Sequence, residues 1–418
     1  MPTRVVSGFA LAALTAAAFA ACKDGGGPPP PVGPPAKLVN VTSGTPSAPA
    51  NTAITNLRVQ VQDANGTPVP NQPVTFGILE GDGSLAATTA TSDESGTVTV
   101  PPWTMGKLAI PQKLRATLGN ITLTIEAQVA TLYKIDVRFF GTPMTSAQQT
   151  LFRNAAARIS GVVTGDVLDA QATNAPVATA CNMPGQPDLN ELIDDIIIFA
   201  AIEDIDGPGR ILAQSGPCLY RDVSRTRTDT VYMPAVAKMQ FDRADIDALA
   251  GAGSLQEVIT HEMLHALGVG VLWEDRRILT GKDTPDPRYT GAQGRAGCQE
   301  VGGTVTCASS VPVEGTGGQG TANSHWREST FRNELMTGFI DASPNPFSLI
   351  TVRSLADLSY VVNPADSDPY TIPGGSVRAG SVTNTILLTQ RPGWESRPPS
   401  DYLYVLHRDG HVSKVRKR

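Results

Sequence analysis

Residues 261–268 read HEMLHALG, and this stretch constrains the fold more than any other part of the chain. Its two histidines, His261 and His265, are four positions apart, so on an α-helix they lie one turn apart on the same face. Imidazole nitrogens bind zinc at about 2.0–2.1 Å, and both rings can reach one ion from such a face. Glu262 lies beside that point, where its carboxylate suits a general base acting on a metal-bound water. The stretch predicts a metal-binding helix; the alternative is a core helix in which the pattern arises by chance.

The flanking residues predict where this helix begins and ends. Ser254 and Glu257 have the spacing of a capping box, in which two side chains satisfy the first free N–H groups of a helix. Gly268 lies where a left-handed residue ends a helix and lets the chain turn sharply away. We therefore expect a helix of about four turns, followed by a loop rather than a second helix.

A third histidine is expected downstream. The compact pattern H-E-x-x-H-x-x-G-x-x-H would place it at position 271, which is Val271 in this chain. The segment 324–364 instead supplies His325 and then ELMTG, which contains Met336. His325 precedes Met336 by eleven positions (336 − 325), so one loop could present this histidine and then pass beneath it. His325 is therefore a candidate third ligand.

Two further histidines, His407 and His411, lie in HRDGH near the end of the chain. A short loop with two histidines can also bind a metal. It would, however, have to fold back over the site and block the open position that catalysis requires. We therefore expect these histidines to take no part in the site. The sequence leaves open whether 365–418 is an ordered extension or a loose tail.

Taken together, the motif, His325 and Met336 resemble the leishmanolysin-like family of zinc metallopeptidases, which are metzincins. In that family an insertion of several tens of residues separates the helix from the third histidine, and here the gap is 60 residues (325 − 265). The resemblance spans about 133–364. It implies one zinc ion per chain held by His261, His265 and His325, with Glu262 as general base and Met336 as an apolar floor in a Met-turn.

The same resemblance extends to the segment DGPGRILAQSGPC at 206–218, which is similar to the metzincin edge strand on which substrate lies. It places Ile211, Leu212 and Ala213 on that strand. A backbone edge can pair with an extended chain by strand addition. The expected partners are therefore protein or peptide substrates, cleaved internally.

From Tyr133 onward the hydrophobic pattern mixes helix and strand. YKIDVRFF, DDIIIFAAI and GRILAQSGP have the composition of strands, whereas FDRADIDALAGAG predicts a short helix ended by glycines. A longer helix is predicted in SAQQTLFRNAAARISGVV, where apolar residues recur at helical spacing: Leu151, Phe152, Ala155, Ile159 and Val162. These segments predict one α/β (α+β) domain of metzincin type over 132–364.

Residues 38–131 predict an all-β domain. In LRVQVQ, Leu57, Val59 and Val61 alternate with polar residues, and ITLTIEAQV repeats this period of two, which marks half-buried strands. DANG and GDGS supply turn residues between strands. Several short strands in about 90 residues predict a β-sandwich. The segment VQDANGTPVPNQPVTFGILEGDGSL resembles the bacterial immunoglobulin-like domains of invasin and intimin, which implies a spacer or adhesive module.

The N-terminus predicts export. Arg4 precedes an apolar run ending at Phe19, which is shorter than the ~20 residues of a membrane-spanning helix but suits a secretory signal. The run closes on FAAC, which resembles the bacterial lipobox and implies that 1–21 is removed and Cys22 is acylated. A simple signal peptide with an incidental cysteine is the alternative. The Pro/Gly-rich segment at 22–37 is typical of an extended tether, so we expect a lipoprotein anchored in a membrane at the bacterial cell envelope or surface.

Apart from Cys22, four of the five cysteines remain, an even number that suits disulfides in an oxidising compartment. Three pairings are possible. We prefer Cys298 with Cys307, because CQEVGGTVTC places a Gly-Gly turn between two short extended arms, and this leaves Cys181 with Cys218. A zinc site built from cysteines is the alternative, although no C-x-x-C spacing supports it.

Composition limits the partners of this chain. Its 418 residues, 41% of them hydrophobic, can bury more than one core. Its net charge of -6 argues against nucleic acid as a partner, because phosphate contacts require a basic face. Two other functions remain open from the sequence: a non-catalytic surface adhesin with a protease-like domain, and a zinc hydrolase acting on a non-protein amide.

Overall fold

The structure is a computed structural model, and it describes residues 32–106, 111–130, 132–209, 211–223, 231–318, 320–341, 343–373, 386–387 and 402–416. The expected signal segment, Cys22 and most of the tether lie outside the described residues. Within the described residues, none of the helices combines the length and the apolar character that crossing a membrane requires.

Short strands make up the N-terminal part of the described chain. Their bounds are β1 Lys37–Asn40, β2 Ser47–Ala48, β3 Ala53–Ile54, β4 Arg58–Gln62, β5 Pro73–Glu80, β6 Ser84–Leu85, β7 Thr89–Thr91, β8 Thr97–Thr99, β9 Trp103–Thr104, β10 Gln112–Leu118 and β11 Ile121–Val129. No helix lies among the described residues of this part, in agreement with the all-β prediction.

These strands form two larger sheets whose side chains share one core. The sheets have the orders β1-β4-β8 and β2-β11-β10-β5-β7, and a small third sheet has the order β3-β9-β6. Val59 and Val61 of the first sheet lie in one buried cluster with Phe76, Leu114 and Ile125 of the second. Alternate residues of β4 are buried, as the period of two predicts. The arrangement is a β-sandwich.

Helices and strands alternate in the rest of the chain. The strands are β12 Ile135–Phe139, β13 Ala170–Gln171, β14 Leu192–Ile193, β15 Ile196–Glu203, β16 Ala213–Asp222, β17 Tyr232–Asp242, β18 Leu279–Thr280, β19 Arg288–Tyr289, β20 Val311–Pro312, β21 Phe339–Ile340, β22 Ile386–Leu387, β23 Tyr402–Leu406 and β24 Val412–Arg416. The helices are α1 Ser146–Val162, α2 Val177–Ala180, α3 Arg243–Gly251, α4 Leu255–Ala266, α5 Ala292–Cys298, α6 Glu328–Phe331 and α7 Leu349–Asp357. A π-helical turn, Gln299–Gly303, follows α5, and a 3-10 turn, Pro364–Asp366, follows α7.

The main sheet of this part has the strand order β12-β15-β17-β16-β23-β24. Strands β12, β15 and β17 are parallel, whereas β16 runs antiparallel to β17. Strands β15 and β17 are buried along almost their whole length, as expected for strands covered on both faces. The predictions of α1, α3, β12 and β15 from local pattern are confirmed.

The two faces of this sheet belong to different buried clusters. Ile198 of β15 packs in the cluster that contains Phe152 of α1 and Met263 of α4. Its neighbour Ile197 faces the opposite way and packs with Val177 of α2. The period of two in β15 thus places the helix with the histidine motif against one face of the sheet.

The predicted disulfides are both present, but one lies in a different local structure. Cys181 pairs with Cys218, which ties the segment after α2 to β16. Cys298 pairs with Cys307. The extended arms predicted between them are wrong, because Cys298 ends α5 and a π-helical turn follows, with Gly302 at φ 103°. Successive turns bring the two cysteines together over nine positions.

The predicted edge strand needs two corrections. Strand β16 begins at Ala213, so Ile211 and Leu212 precede it, and both are buried. The strand is also not an edge along its whole length, since β23 from the C-terminal segment pairs with it in parallel at Tyr220 and Arg221. Among the described residues, no other strand pairs with that side of β16. The free edge is therefore the first part of β16.

Candidate metal centre

Helix α4 carries the histidine motif and begins where the sequence predicts, but the capping box is wrong. Ser254 precedes the helix with φ −97° and ψ −7°, and its side chain makes no capping bond. Glu257 instead accepts hydrogen bonds from Ser343 Oγ at 2.5 Å and from Asn345 Nδ2 at 2.6 Å. A tertiary contact with a distant loop therefore uses the carboxylate that the local pattern assigned to the helix end.

Two glycines shape the exit from α4. Gly268 has φ 104°, the left-handed conformation predicted for it, and its N–H donates to His265 O at 2.9 Å. Gly270 lies against the loop before His325: a Cβ added there would be 2.1 Å from Ser324 O. Only glycine permits this approach. The exit loop thus brings the third histidine next to the end of the helix.

The three predicted ligands meet at one point. The Nε2 atoms of His261 and His265 are 3.0 Å apart, those of His265 and His325 are 3.0 Å apart, and those of His261 and His325 are 3.1 Å apart. All three side chains are fully buried. The structure therefore brings together two residues of α4 and one residue 60 positions downstream as a group that could hold a metal ion.

The contacts of the Nδ1 atoms explain how the three imidazole rings are oriented. Each Nδ1 lies at hydrogen-bond distance from a backbone carbonyl: His261 from Leu335 at 2.7 Å, His265 from Val269 at 2.8 Å and His325 from Thr321 at 2.9 Å. Because a carbonyl oxygen can only accept, each Nδ1 carries the proton of its ring. Each Nε2 is then an unprotonated lone pair, so the short Nε2–Nε2 distances are not hydrogen bonds.

This donor set fits a zinc ion. Lone pairs 3.0–3.1 Å apart repel one another unless a cation lies between them. Nitrogens bound tetrahedrally at about 2.0–2.1 Å from zinc are about 3.3–3.4 Å apart, close to the observed spacing. Backbone carbonyls that fix the ring tautomer are the usual outer partners of zinc-bound histidines.

Burial keeps the three imidazoles neutral. Desolvation lowers the pKa of His261 to about 3 and that of His325 to about 4. It also lowers the pKa of His265 well below its usual value, with His261 and His325 adding to the effect. Neutral imidazole is the form that binds a metal, so protons do not compete for these nitrogens near neutral pH.

The segment that carries Met336 passes directly beside the first ligand. Leu335, the residue before it, supplies the carbonyl that orients His261. Trp326 N donates to Met336 O at 2.9 Å, so this segment is also joined to the residue after His325. The side chain of Met336 is fully buried in the same core cluster. Its role as a floor beneath the histidines stays a prediction.

Glu262 follows His261 on α4 and is 1% exposed. Its carboxylate therefore belongs to the same buried region as the three ligands. The structure places it where the sequence predicts, on the helix that supplies two of the imidazoles. Its role as general base stays a prediction.

The two tail histidines lie apart from this group. His407 and His411 flank the turn between β23 and β24, with ring centroids 4.4 Å apart. The Nε2 of His407 contacts Ser413 Oγ at 2.6 Å, and the Nδ1 of His411 contacts Asp409 Oδ1 at 2.5 Å. Neither joins the three-histidine group within the described residues.

A cavity of about 970 Å³ is lined by residues next to the segments that carry the histidines, but not by the three histidines or Glu262 themselves. Ser215 and Gly216 of β16 form one wall, and Gly270 and Ser324 connect it to the loops that hold the ligands. Tyr404 of β23 also lines the cavity, so this part of the C-terminal segment is an ordered extension, one of the two alternatives that the sequence left open. Strand β23 of the β23–β24 hairpin thus forms part of the wall of this cavity.

Sequence reasoning missed the groups that orient the ligands. The carbonyls of Val269, Thr321 and Leu335 have no signal in the sequence, since every residue has a carbonyl. Glu334, in the segment NELMTG, was also missed; it accepts a hydrogen bond from Met336 N at 2.6 Å. Its position two residues before Met336 was the one signal that could have drawn attention to it.

Some solved structures are similar to part of the chain. The D00-D0 domain of intimin is 28% identical over 22% of this chain and 43% of that chain, with a TM-score of 0.18. Invasin, a bacterial integrin-binding protein, is 23% identical over 23% of this chain and 19% of that chain, with a TM-score of 0.19. The chain thus spans less than half of the length of these structures. No curated protein matches it.

A family model matches the part of the chain that holds the metal centre. The model is that of the leishmanolysin peptidases, and it matches residues 166–368. This range contains α4 and the loop with His325, and it falls within 132–364 except for its last four residues. Residues 166–368 therefore match the leishmanolysin family of peptidases, which are zinc-dependent.

Proposed function

We propose that this chain is a zinc-dependent endopeptidase that hydrolyses protein or peptide substrates. The observation that carries the proposal is the convergence of three neutral imidazoles, with Nε2 atoms 3.0–3.1 Å apart and each Nδ1 proton donated to a backbone carbonyl. Three unprotonated Nε2 atoms cannot hydrogen-bond to one another. Their arrangement matches a three-histidine catalytic zinc site. The family of residues 166–368 points to the same chemistry.

The roles of the residues follow from this site. His261, His265 and His325 would hold one zinc ion, which when bound supplies a Lewis acid that activates water and polarises the scissile carbonyl. Glu262 accepts a proton from the attacking water and later delivers it to the leaving amine. Leu335 O keeps His261 in the tautomer that offers Nε2.

Substrate binding is proposed along the first part of β16. An extended peptide can add to a free strand edge through backbone hydrogen bonds, and residues 213–219 form such an edge next to the cavity. The peptide would run between this edge and the loops that hold the ligands. The β23–β24 hairpin closes the edge at Tyr220 and Arg221, so substrate pairing ends there.

Removing the metal is expected to lower the melting temperature and to stop hydrolysis. A ligand that binds only the folded state adds about 4 kcal/mol of stability at a thousand times its Kd. At about 2–4 °C per kcal/mol, the melting temperature of such a domain should fall by about 8–16 °C. Calorimetry and casein digestion, before and after treatment with 1,10-phenanthroline, measure both effects.

Restored zinc provides the control for that experiment. Adding zinc after removal of the chelator should return the melting temperature and casein cleavage together. A protein that binds zinc but leaves casein intact would instead be an adhesin or a hydrolase of another amide. A melting temperature that is insensitive to both chelator and zinc would contradict the metal site itself.

We also propose that the chain is exported and anchored through Cys22, with 22–37 as tether, the sandwich of 38–131 as spacer, 132–364 as catalytic domain and 365–418 as extension. Support comes from FAAC after a secretory signal, and two disulfides suit an oxidising compartment.

The variant Cys22→Ser is expected to move the protein from the membrane fraction to the soluble fraction, because stable anchoring requires the acyl chains. Fractionation of cells that express the chain measures this. Gly25→Ser, a matched change in the tether, should stay with the membrane. Retention of Cys22→Ser in the membrane fraction would show that the anchor lies elsewhere.

A further inference from the structure

Glu334 is a fully buried carboxylate in the segment that also carries Leu335 and Met336. It is not one of the three histidines, and it takes no part in the proton transfers proposed above. Burying a charged group is costly unless hydrogen bonds compensate for it. The contacts of Glu334 therefore indicate what it stabilises.

Three short hydrogen bonds converge on this carboxylate. Ser348 Oγ and Thr351 Oγ1, both at the start of α7, each lie 2.6 Å from Glu334 Oε1. The backbone N–H of Met336 donates to Oε2 at 2.6 Å. Glu334 thus joins helix α7 to the backbone of the segment that carries Met336.

Trp326 determines the direction of the hydrogen bond between Thr351 and Glu334. An indole N–H can only donate, and Trp326 Nε1 lies 2.8 Å from Thr351 Oγ1. The hydroxyl of Thr351 accepts from Trp326, so its own proton is available for Glu334 Oε1. Trp326 directly follows the ligand His325. A directed chain therefore runs from the residue beside one ligand, through Thr351, to Glu334.

The backbone next to Glu334 contacts His261, the first of the three histidines. Leu335 lies between Glu334 and Met336, and its carbonyl accepts from Nδ1 of His261 at 2.7 Å. The bond from Met336 N to Glu334 Oε2 folds the backbone around that peptide. Leu335 N donates to Pro346 O at 3.0 Å and ties the same turn to the segment before α7. The direction of the Leu335 carbonyl thus depends on the Glu334 carboxylate.

We propose that Glu334 is a positioning residue of the metal centre: it holds the Leu335 carbonyl against His261 and, through Thr351 and Trp326, holds the segment of His325 in register with it. This inference rests on the proposed zinc site. The ligands come from α4 and from a loop 60 positions away, so a group that fixes both relative to α7 sets the separation of their nitrogens.

Electrostatics limits which side chains can replace Glu334. Burial raises the pKa of Glu334 to about 7, whereas the bonds from Ser348, Thr351 and Met336 lower it. Both oxygens face donors, and the N-terminus of α7 adds a partial positive charge. A glutamine has nearly the same shape but replaces one acceptor with an NH₂ donor. One of the three donors would then lose its partner.

The variant Glu334→Gln is expected to bind zinc about 10–100-fold more weakly, the usual effect of losing an outer partner of a metal ligand. Competition with a chromophoric zinc chelator measures this on the purified chain. The cobalt(II) form should also show a changed visible d–d spectrum, because that spectrum reports the geometry of the ligands. A purely structural role of Glu334 would not move this second readout.

Asp357→Asn is the matched control, on the same helix α7. Its carboxylate accepts from Tyr289 Oη at 2.7 Å and from Gly294 N at 2.8 Å, so the variant loses comparable hydrogen bonds, none of which involves Glu334, Thr351 or a histidine of the group. It should lose thermal stability but keep wild-type zinc affinity and the wild-type cobalt spectrum. Trp326→Phe, which removes the indole donor and shortens a buried aromatic side chain, should weaken zinc binding by a smaller factor and covers the case in which Glu334→Gln does not fold.

The outcomes separate this inference from the proposed function. If the wild-type chain binds no zinc, the proposed function fails. If the wild-type chain binds zinc and both Glu334→Gln and Trp326→Phe keep its affinity and cobalt spectrum, Glu334 serves only stability and the inference is overturned. If Glu334→Gln does not fold, unchanged zinc affinity in Trp326→Phe overturns it equally.

Discussion

Replacing Glu262 with glutamine is expected to remove peptide hydrolysis while leaving about one zinc ion bound per chain. The three imidazoles are untouched by this change, and each keeps the carbonyl that orients it. Glutamine has the size of glutamate but cannot accept a proton. General acid–base catalysis contributes about 10²–10⁴-fold to such reactions, so kcat/KM on casein should fall by at least about 100-fold.

Elemental analysis and casein turnover on the same preparation measure the two halves of this prediction. Glu300→Gln offers a control of the same chemistry, because Glu300 pairs with Arg353 outside the cavity and the metal centre. It should keep wild-type zinc content and turnover. Turnover near the wild-type level in Glu262→Gln would defeat the proposed mechanism, whatever its zinc content.

Replacing His325 with alanine is expected to release zinc and remove activity. The chain would lose one of three protein ligands, and structural zinc sites bind with about 10–16 kcal/mol. A loss of roughly a third of such an energy, about 3–5 kcal/mol, corresponds to a zinc affinity lower by more than 100-fold. The melting temperature should then lose most of its dependence on added zinc.

A double variant, His407→Ala with His411→Ala, tests the alternative ligands at the same time. Both histidines lie at the turn of the β23–β24 hairpin and contact Ser413 and Asp409 rather than the metal centre. The double variant should therefore keep zinc and activity. Loss of zinc in the double variant, with retention in His325→Ala, would mean that the metal lies elsewhere.

Local pattern was enough to predict much of the fold. Alternation in LRVQVQ predicted the buried face of β4, and helical spacing predicted α1. The cysteine pairs were also predicted correctly, although the extended arms around Gly302 were not. These properties belong to short segments, where periodicity and turn residues act over a few positions.

For the candidate site, too, predictions held within one segment and failed where distant segments meet. Spacing alone placed His261 and His265 on one face of α4, and Gly268 ended that helix as expected. The capping box failed because Glu257 has a stronger tertiary partner in Asn345, 88 positions away. The edge strand was incomplete because β23, almost 200 positions further on, pairs with part of β16.

The sequence by itself predicted the three histidines that the structure brings together, the helix that carries two of them, and the period of the sandwich strands. Only the tertiary structure decided the orientation of the ligands, because the carbonyls of Leu335, Val269 and Thr321 are present in any sequence and act through position alone. It also decided the use of Glu334 and the covered end of β16. The physical reason is that hydrogen bonds between distant segments depend on where the backbone lies after folding, whereas spacing and periodicity act within one segment.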